Sequence, residues 1–298
     1  MSNLKIDFRD QISKNNKKSF FLMLSIFLIL ILFGYLISFA FSQKYFFIIM
    51  IISIIFSLGY LLIGFYKSDK IAITSVGAKK ADKIKYKQYY GLVHGLTLAS
   101  GLPMPELYVM NSNQINAFAS GRNPENSVIC VTTGALEKLE KRELEAVLAH
   151  ELGHIANYDI RFITLVTILV GMIAIISEIF LRSLWFSSIG DRDNRASWIF
   201  ILIGILMAIL APITVKLIQL SISRKREFSA DASSVRFTRY PDALIKALKK
   251  IKADSEAGIT SEKKVSKAVA PLFFTNPLKG LGSTHPSIEK RIQILERM

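Results

Sequence analysis

The residues of this chain best suited to chemistry lie in one short run, His150-Glu151-Leu152-Gly153-His154. On a helix the two histidines stand one turn apart, so both imidazoles leave the same face and can share a metal ion. Glu151 follows His150 by about 100° around the axis. Its carboxylate therefore lies beside that ion, where a general base acting on a metal-activated water belongs. A catalytic zinc takes three protein ligands and keeps a fourth position open, so one ligand must come from elsewhere in the chain. Leu144, Val147, Leu148, Leu152 and Ile155 surround the histidines in the pattern of a buried helix face. Buried imidazoles flanking a buried carboxylate are costly unless a metal or hydrogen-bond partners satisfy them.

A second acidic pair is spaced in the same way. Glu227 and Asp231 stand one turn apart in Arg226-Glu227-Phe228-Ser229-Ala230-Asp231-Ala232, on one face of an expected helix. They read either as a solvated pair answering Arg224 and Arg226, or as a third ligand with an aspartate that accepts the free imidazole N–H of a ligand histidine. The placement of the two segments relative to a membrane bears on the choice.

Half of the residues are hydrophobic and the mean hydropathy is positive, more than an ordinary domain core requires. The excess sits in four stretches almost free of charge: Ser19–Phe41, Tyr45–Tyr66, Phe162–Leu181 and Trp198–Ser221. Each is long enough for a helix to cross a bilayer. The net charge of +15 suggests nucleic acid only until it is located. Residues 1–18, 67–161 and 222–298 hold 33 of the 38 lysines and arginines, which places both termini and the large middle segment on the cytoplasmic side. No nucleic-acid partner is expected. Glu227 then begins a segment on the same side as His150, as a shared metal site requires. Arg224-Lys225-Arg226, directly after the fourth span, suits anionic headgroups.

The chain divides into a cytoplasmic segment 1–18, a transmembrane hairpin 19–66, a soluble part 67–161, a second hairpin 162–221 and a second soluble part 222–298. In the first soluble part, Ala78–Gly101 reads as a helix with a basic face. Glu106–Met110, Ala117–Ser120 and Val128–Val131 read as strands, and a helical segment runs from about Gly134 through Ala156. In the second, helices are expected near Ser223–Tyr240, Pro241–Ala253 and Pro286–Met298. The apolar patch Pro271-Leu272-Phe273-Phe274 lies in a stretch that reads as a flap, a membrane-touching loop or a plain connector. Cys130, the one cysteine, reads as a small core residue. Glu178 and Lys216 lie near opposite ends of their spans, so each can reach its own interface. The charged run Glu137–Glu143 before the zinc helix argues against H-E-x-x-H inside a span.

The order of these blocks resembles the HtpX-type membrane zinc endopeptidases, relatives of the CAAX prenyl endopeptidases and the mitochondrial Oma-type proteases. The likeness covers nearly the whole chain: two spans, Asn116-Ala117-Phe118-Ala119-Ser120-Gly121, the block Leu144–Asp159, a hairpin, the block Ser223–Ala232, then Thr284-His285-Pro286. It implies one zinc ion per subunit held by His150, His154 and Glu227, with Glu151 as the base and Asp231 as the partner of a ligand histidine. His285 reads either as a turn residue before proline or, by the likeness, as a group that binds the oxyanion. Asn116, Ala117, Phe118 and Ala119 read either as a core strand or as the edge that pairs with an extended substrate. The implied fold is a mainly α membrane protein with four transmembrane helices and a cytoplasmic α+β zincin-like metalloprotease domain split by the second hairpin. The implied activity is cleavage of misfolded or damaged membrane polypeptides at the cytoplasmic face of the cell (inner) membrane, in association with other quality-control proteases.

Overall fold

The computed structural model describes residues 8–40, 46–168, 171, 173, 224–257, 273–274 and 286–298. The remainder of the third expected span, the whole of the fourth, and Glu178, Lys216 and His285 lie outside the described residues.

Helices α1 (Phe8–Ala40) and α2 (Phe46–Tyr66) pair with each other. Both contain apolar windows long enough to cross a membrane, Asn15–Leu32 and Phe46–Tyr66, and only 6% of the second window is buried inside the protein. Phe47, Ile48, Ile51, Ile52, Ile55 and Phe56 all face outward from α2. A surface so apolar is what hydrocarbon accepts and water does not, and the helix satisfies its own backbone there. The helix α1 takes in the polar run from Phe8 as well as the apolar stretch expected from Ser19, and no glycine or proline interrupts the passage from one to the other.

The helix α3 (Ser68–Val76), which the sequence reading did not anticipate, ends at Gly77 with φ 65°. The helix expected from Ala78 starts only at Lys87, as α4 (Lys87–Ser100). Its first residues become instead the short strand β1 (Lys79–Lys80), paired antiparallel with Val109 and Tyr108. Asp82 Oδ1 then accepts the N–H groups of Ile84 and Lys85 and turns the chain. Ladder pairing and this turn override the helical preference of the lysine run.

Strands β2 (Glu106–Met110), β3 (Ala117–Asn123) and β4 (Asn126–Thr132) complete a sheet of order β1-β2-β4-β3. The pairing β2–β4 is parallel and β3–β4 antiparallel. An inner strand is covered on both faces and so carries a continuous apolar run. Val128, Ile129, Cys130 and Val131 are that run, all buried, and burial pushes the Cys130 thiol well up. The strand β3 lies at the sheet's edge.

The helical stretch expected through Ala156 is two helices, α5 (Thr133–Lys138) and α6 (Lys141–Ala156). Between them Glu140 caps α6, and the Glu143 side chain accepts the Glu140 N–H at 2.8 Å. This reciprocal cap satisfies two donors that a helix start leaves open, so the break belongs to the sequence. After Ala156 the chain turns through Tyr158, a non-glycine residue with φ 57°, into α7, described over residues 159–168. The second part supplies α8 (Arg224–Thr238), α9 (Pro241–Glu256) and α10 (Ile288–Leu295), near their expected bounds.

The core packs α6 between the sheet on one side and α8 and α9 on the other, with Leu144, Leu148, Leu152 and Ile155 buried beside Ile129, Leu244 and Leu248. Full burial of each such side chain contributes about 1.5–3 kcal/mol. Close approach of α8 depends on Gly153. A β-carbon there would lie 2.8 Å from Ser233 Cβ and 3.3 Å from Ala230 Cα. That glycine brings the two chemically loaded helices together.

Candidate metal centre

His150 and His154 project from α6 with their Nε2 atoms 3.2 Å apart. The carboxylate of Glu227, in the first turn of α8, faces both: Oε2 lies 3.8 Å from His150 Nε2 and Oε1 lies 3.6 Å from His154 Nε2. One ligand atom from each of the three residues falls within a 4.8 Å group, and all three residues are buried. Zinc bonds of about 2.0–2.1 Å in tetrahedral geometry separate two nitrogens by about 3.3 Å. The spacing in this structure suits that ion, and the two-imidazole, one-carboxylate donor set is that of a catalytic zinc site.

Each imidazole presents Nε2 to the centre because its Nδ1 is engaged elsewhere. His150 Nδ1 is 2.9 Å from Asp231 Oδ1, and His154 Nδ1 is 3.0 Å from Asp159 Oδ2. A carboxylate on the far nitrogen fixes tautomer and ring orientation and makes the imidazole a better ligand. Asp231 thus stands beside His150, where its expected role needs it, and Asp159 stands in the same relation to the second histidine. Burial pushes His150 down to about 4, against the Asp231 hydrogen bond. Burial also opposes charge on His154, but its bond to Asp159 and the nearby Glu227 outweigh this and raise it to about 9.

Glu151 is buried next to this centre. Burial lifts its carboxyl to about 7, opposed by His154 and by an N–H bond from Ala119, while Glu227 adds to the rise. Its Oε1 has no hydrogen-bond partner among the described residues. A buried carboxyl of near-neutral pKa with a free oxygen is equipped to take up and release a proton.

Arg291, on α10, was missed by the sequence reading. Its Nε donates to Asp231 Oδ2 at 2.9 Å and its Nη2 to Asp231 Oδ1 at 2.6 Å, and Nη1 stands 3.6 Å from Glu227 Oε2. This two-pronged pair fixes the aspartate that orients His150. Asp159 was only the end of a recognised block, although its position five residues beyond His154 and just past a turn was a usable signal.

The outer edge of β3 passes beside α6, and Ala117, Phe118 and Ala119 lie along it. Asn116 is buried just before it, its Oδ1 accepting the Ala117 N–H at 3.0 Å. That edge carries a segment of the chain's own second part. Phe273 bridges antiparallel to Phe118, and the Phe274 N–H donates to the Ala117 carbonyl at 2.8 Å. The Phe274 ring packs edge-on against His150, with centroids 4.7 Å apart, and lies under the Arg291 guanidinium. Phe273 and Phe274 are therefore buried against the site and not offered to a membrane.

The family model described as Peptidase family M48 matches residues 85–298. A protein named Protease HtpX homolog from Caldanaerobacter subterraneus subsp. tengcongensis is 42% identical over 251 residues, covering 82% of this chain and 83% of its own. Proteins of the same name are 36% identical in Dictyoglomus thermophilum, covering 98% of this chain and 95% of theirs, and 37% identical in Listeria monocytogenes serotype 4a, covering 97% and 99%. Among solved structures, S. mikatae Ste24p overlays with a TM-score of 0.49 at 19% identity, covering 96% of this chain and 67% of that one, a likeness too slight to carry a conclusion.

Proposed function

The chain belongs to peptidase family M48 and is a metalloprotease, and from that premise we propose that it is a membrane-bound endopeptidase in which His150, His154 and Glu227 hold one zinc ion. The observation that carries the reading is the convergence of those three side chains, each imidazole backed by a carboxylate, with Glu151 beside them. Zinc, when bound, supplies Lewis-acid chemistry: it polarises a carbonyl and makes water acidic. Glu151 takes the proton of the attacking water and returns it to the leaving nitrogen, so that one peptide bond and one water become a carboxylate and an amine. Its near-neutral pKa suits both halves of that transfer.

The substrate lies extended along β3, paired with Ala117 and Ala119. Support comes from the chain's own Phe274, whose N–H already uses the Ala117 carbonyl, so this edge accepts an extended segment. A substrate would take over that pairing. His285 stays an oxyanion-binding candidate on the strength of the Thr284-His285-Pro286 motif alone. Four spans, with the protease parts 67–161 and 222–298 on the cytoplasmic side, agree with the two apolar helices and with the charge distribution. Misfolded or damaged membrane polypeptides are then the natural substrate class, and other quality-control proteases the natural associates.

The test compares purified wild type with Glu151→Gln in detergent, by metal content and by cleavage of an unfolded protein with and without chelator. Both proteins should carry one zinc, and only wild type should cut, losing activity when chelated. Full cleavage by a zinc-loaded Glu151→Gln protein rejects the role given to Glu151. Wild type that takes up no zinc rejects the site.

A further inference from the structure

Asn15 opens the apolar window of α1, and its side chain is buried. A buried amide must find partners. Asn15 Nδ2 donates to Asp159 Oδ1 at 2.7 Å and to the Asn157 carbonyl at 3.0 Å. Asp159 Oδ2 is the group that faces His154 Nδ1. An amide on the first apolar helix thus bonds an aspartate 144 residues along the chain and is two hydrogen bonds away from the imidazole of His154.

The segment that Asn15 grips is one that needs holding. It contains Tyr158 in the left-handed region, a conformation that is strained for a non-glycine residue and persists only when its surroundings impose it. Asn15 bonds the residue on each side of that strained turn. Asp159 Oδ1 also faces Arg226 Nε, at the longer distance of 3.8 Å. With Oδ1 held by the amide, the carboxylate plane is set, and Oδ2 stays aimed at the imidazole.

We propose that Asn15 is a positioning residue of the zinc site, acting through Asp159 on His154, and that α1 is for this reason a working part of the metal centre as well as a membrane anchor. The proposal rests on the reading of His150, His154 and Glu227 as zinc ligands. Nearby Asn16 supplies the contrast. Its Oδ1 accepts from Arg161 Nη1 at 2.9 Å, so it ties the same helix to the same region without touching Asp159.

The experiment uses the full-length protein in detergent, stripped of metal and titrated with zinc against a chromophoric chelator, with kcat and KM measured on a peptide. Loss of a group that itself bonds a ligand histidine costs about 10–100-fold in metal affinity. Asn15 acts one bond further out, and Asn15→Ala should weaken zinc by about three- to tenfold, lowering kcat with KM unchanged. Asn15→Gln, which keeps the amide donor, should recover part of the loss, and Asn16→Ala should bind zinc as wild type does. In an Asp159→Ala background, Asn15→Ala should add nothing. If Asn15→Ala does not fold, Asn15→Ser, with a shorter donor, gives the same comparison at smaller amplitude. Wild-type affinity in the Asn15 variants, equal losses from Asn16→Ala, or losses that add to those of Asp159→Ala overturn the proposal. Failure of wild type itself to bind zinc would instead remove the site reading, and this inference with it.

Discussion

The two histidines stand one turn apart on a single helix, yet the molecule supports them by unlike means. Behind His150 lies a closed ion pair, Asp231 with Arg291, both drawn from the second part of the chain. Behind His154 lies Asp159, at the start of α7, held by the neutral amide of Asn15 on α1. The difference shows in charge. Burial, with the Arg291 cation adding to it, pushes the His150 pKa down, whereas the bond to Asp159 and the nearby Glu227 outweigh burial and raise that of His154. One support is built for rigidity and compensates its own charge. The other holds its aspartate by a neutral amide, with the Arg226 cation farther off at 3.8 Å, and ties that ligand to an apolar helix.

Removing the two aspartates should therefore have unequal consequences. Asp231→Ala takes from Arg291, a buried guanidinium, the carboxylate that accepts two of its hydrogen bonds, and leaves it Glu227 at the longer distance of 3.6 Å. Uncompensated buried charge typically costs about 3–5 kcal/mol, so this variant should lose a large part of its resistance to denaturant in detergent and its zinc together. Asp159→Ala takes an acceptor from the Asn15 amide and only a looser partner, at 3.8 Å, from the buried Arg226, so it should cost less stability than Asp231→Ala while losing about 10–100-fold in zinc affinity. If Asp159→Ala proves the more destabilising, the assignment of the rigid support to the His150 side is wrong. Gly153→Ala acts on both supports at once by forcing α6 and α8 apart. It should cost about 1–3 kcal/mol and weaken zinc through the displaced Glu227, as titration of the stripped protein would show.

The parts of the site that could be read from the sequence are those encoded within one helical turn. His150, Glu151 and His154 share a local period, Glu227 and Asp231 repeat it, and the spans with their charge distribution put the two helices on one side. Arg291 could not be read. In Lys290-Arg291 of a basic amphipathic helix it looks like any solvent-facing cation, and only packing of α10 against α8 buries it. Asn15 was hidden for the same reason, as a polar residue in the lead-in to a span. Phe274 falls in a stretch mixed in Gly, Ser and Lys, where apolar residues give no period. The strand at Lys79–Lys80 failed in the opposite sense: local composition favoured helix, and its partner Tyr108–Val109 lies almost 30 residues away.

The smallest change tests whether the carboxylates or the helix packing hold the ligands. Ser234 Oγ, two turns along α8 from Glu227, donates to the Ala146 carbonyl at 2.7 Å, one turn before His150 on α6. It joins the two helices that carry the candidate ligands, without a hydrogen bond to Asp231 or Asp159. In Ser234→Ala the Ala146 carbonyl still accepts the helical N–H of His150, so no buried group is orphaned, and the loss should be about 0.5–1.5 kcal/mol of stability. Zinc affinity should stay at the wild-type value, because each imidazole keeps the carboxylate that aims it. A fall in affinity as large as that of Asp159→Ala would mean that helix spacing sets the ligands and that the two unlike supports are incidental to it.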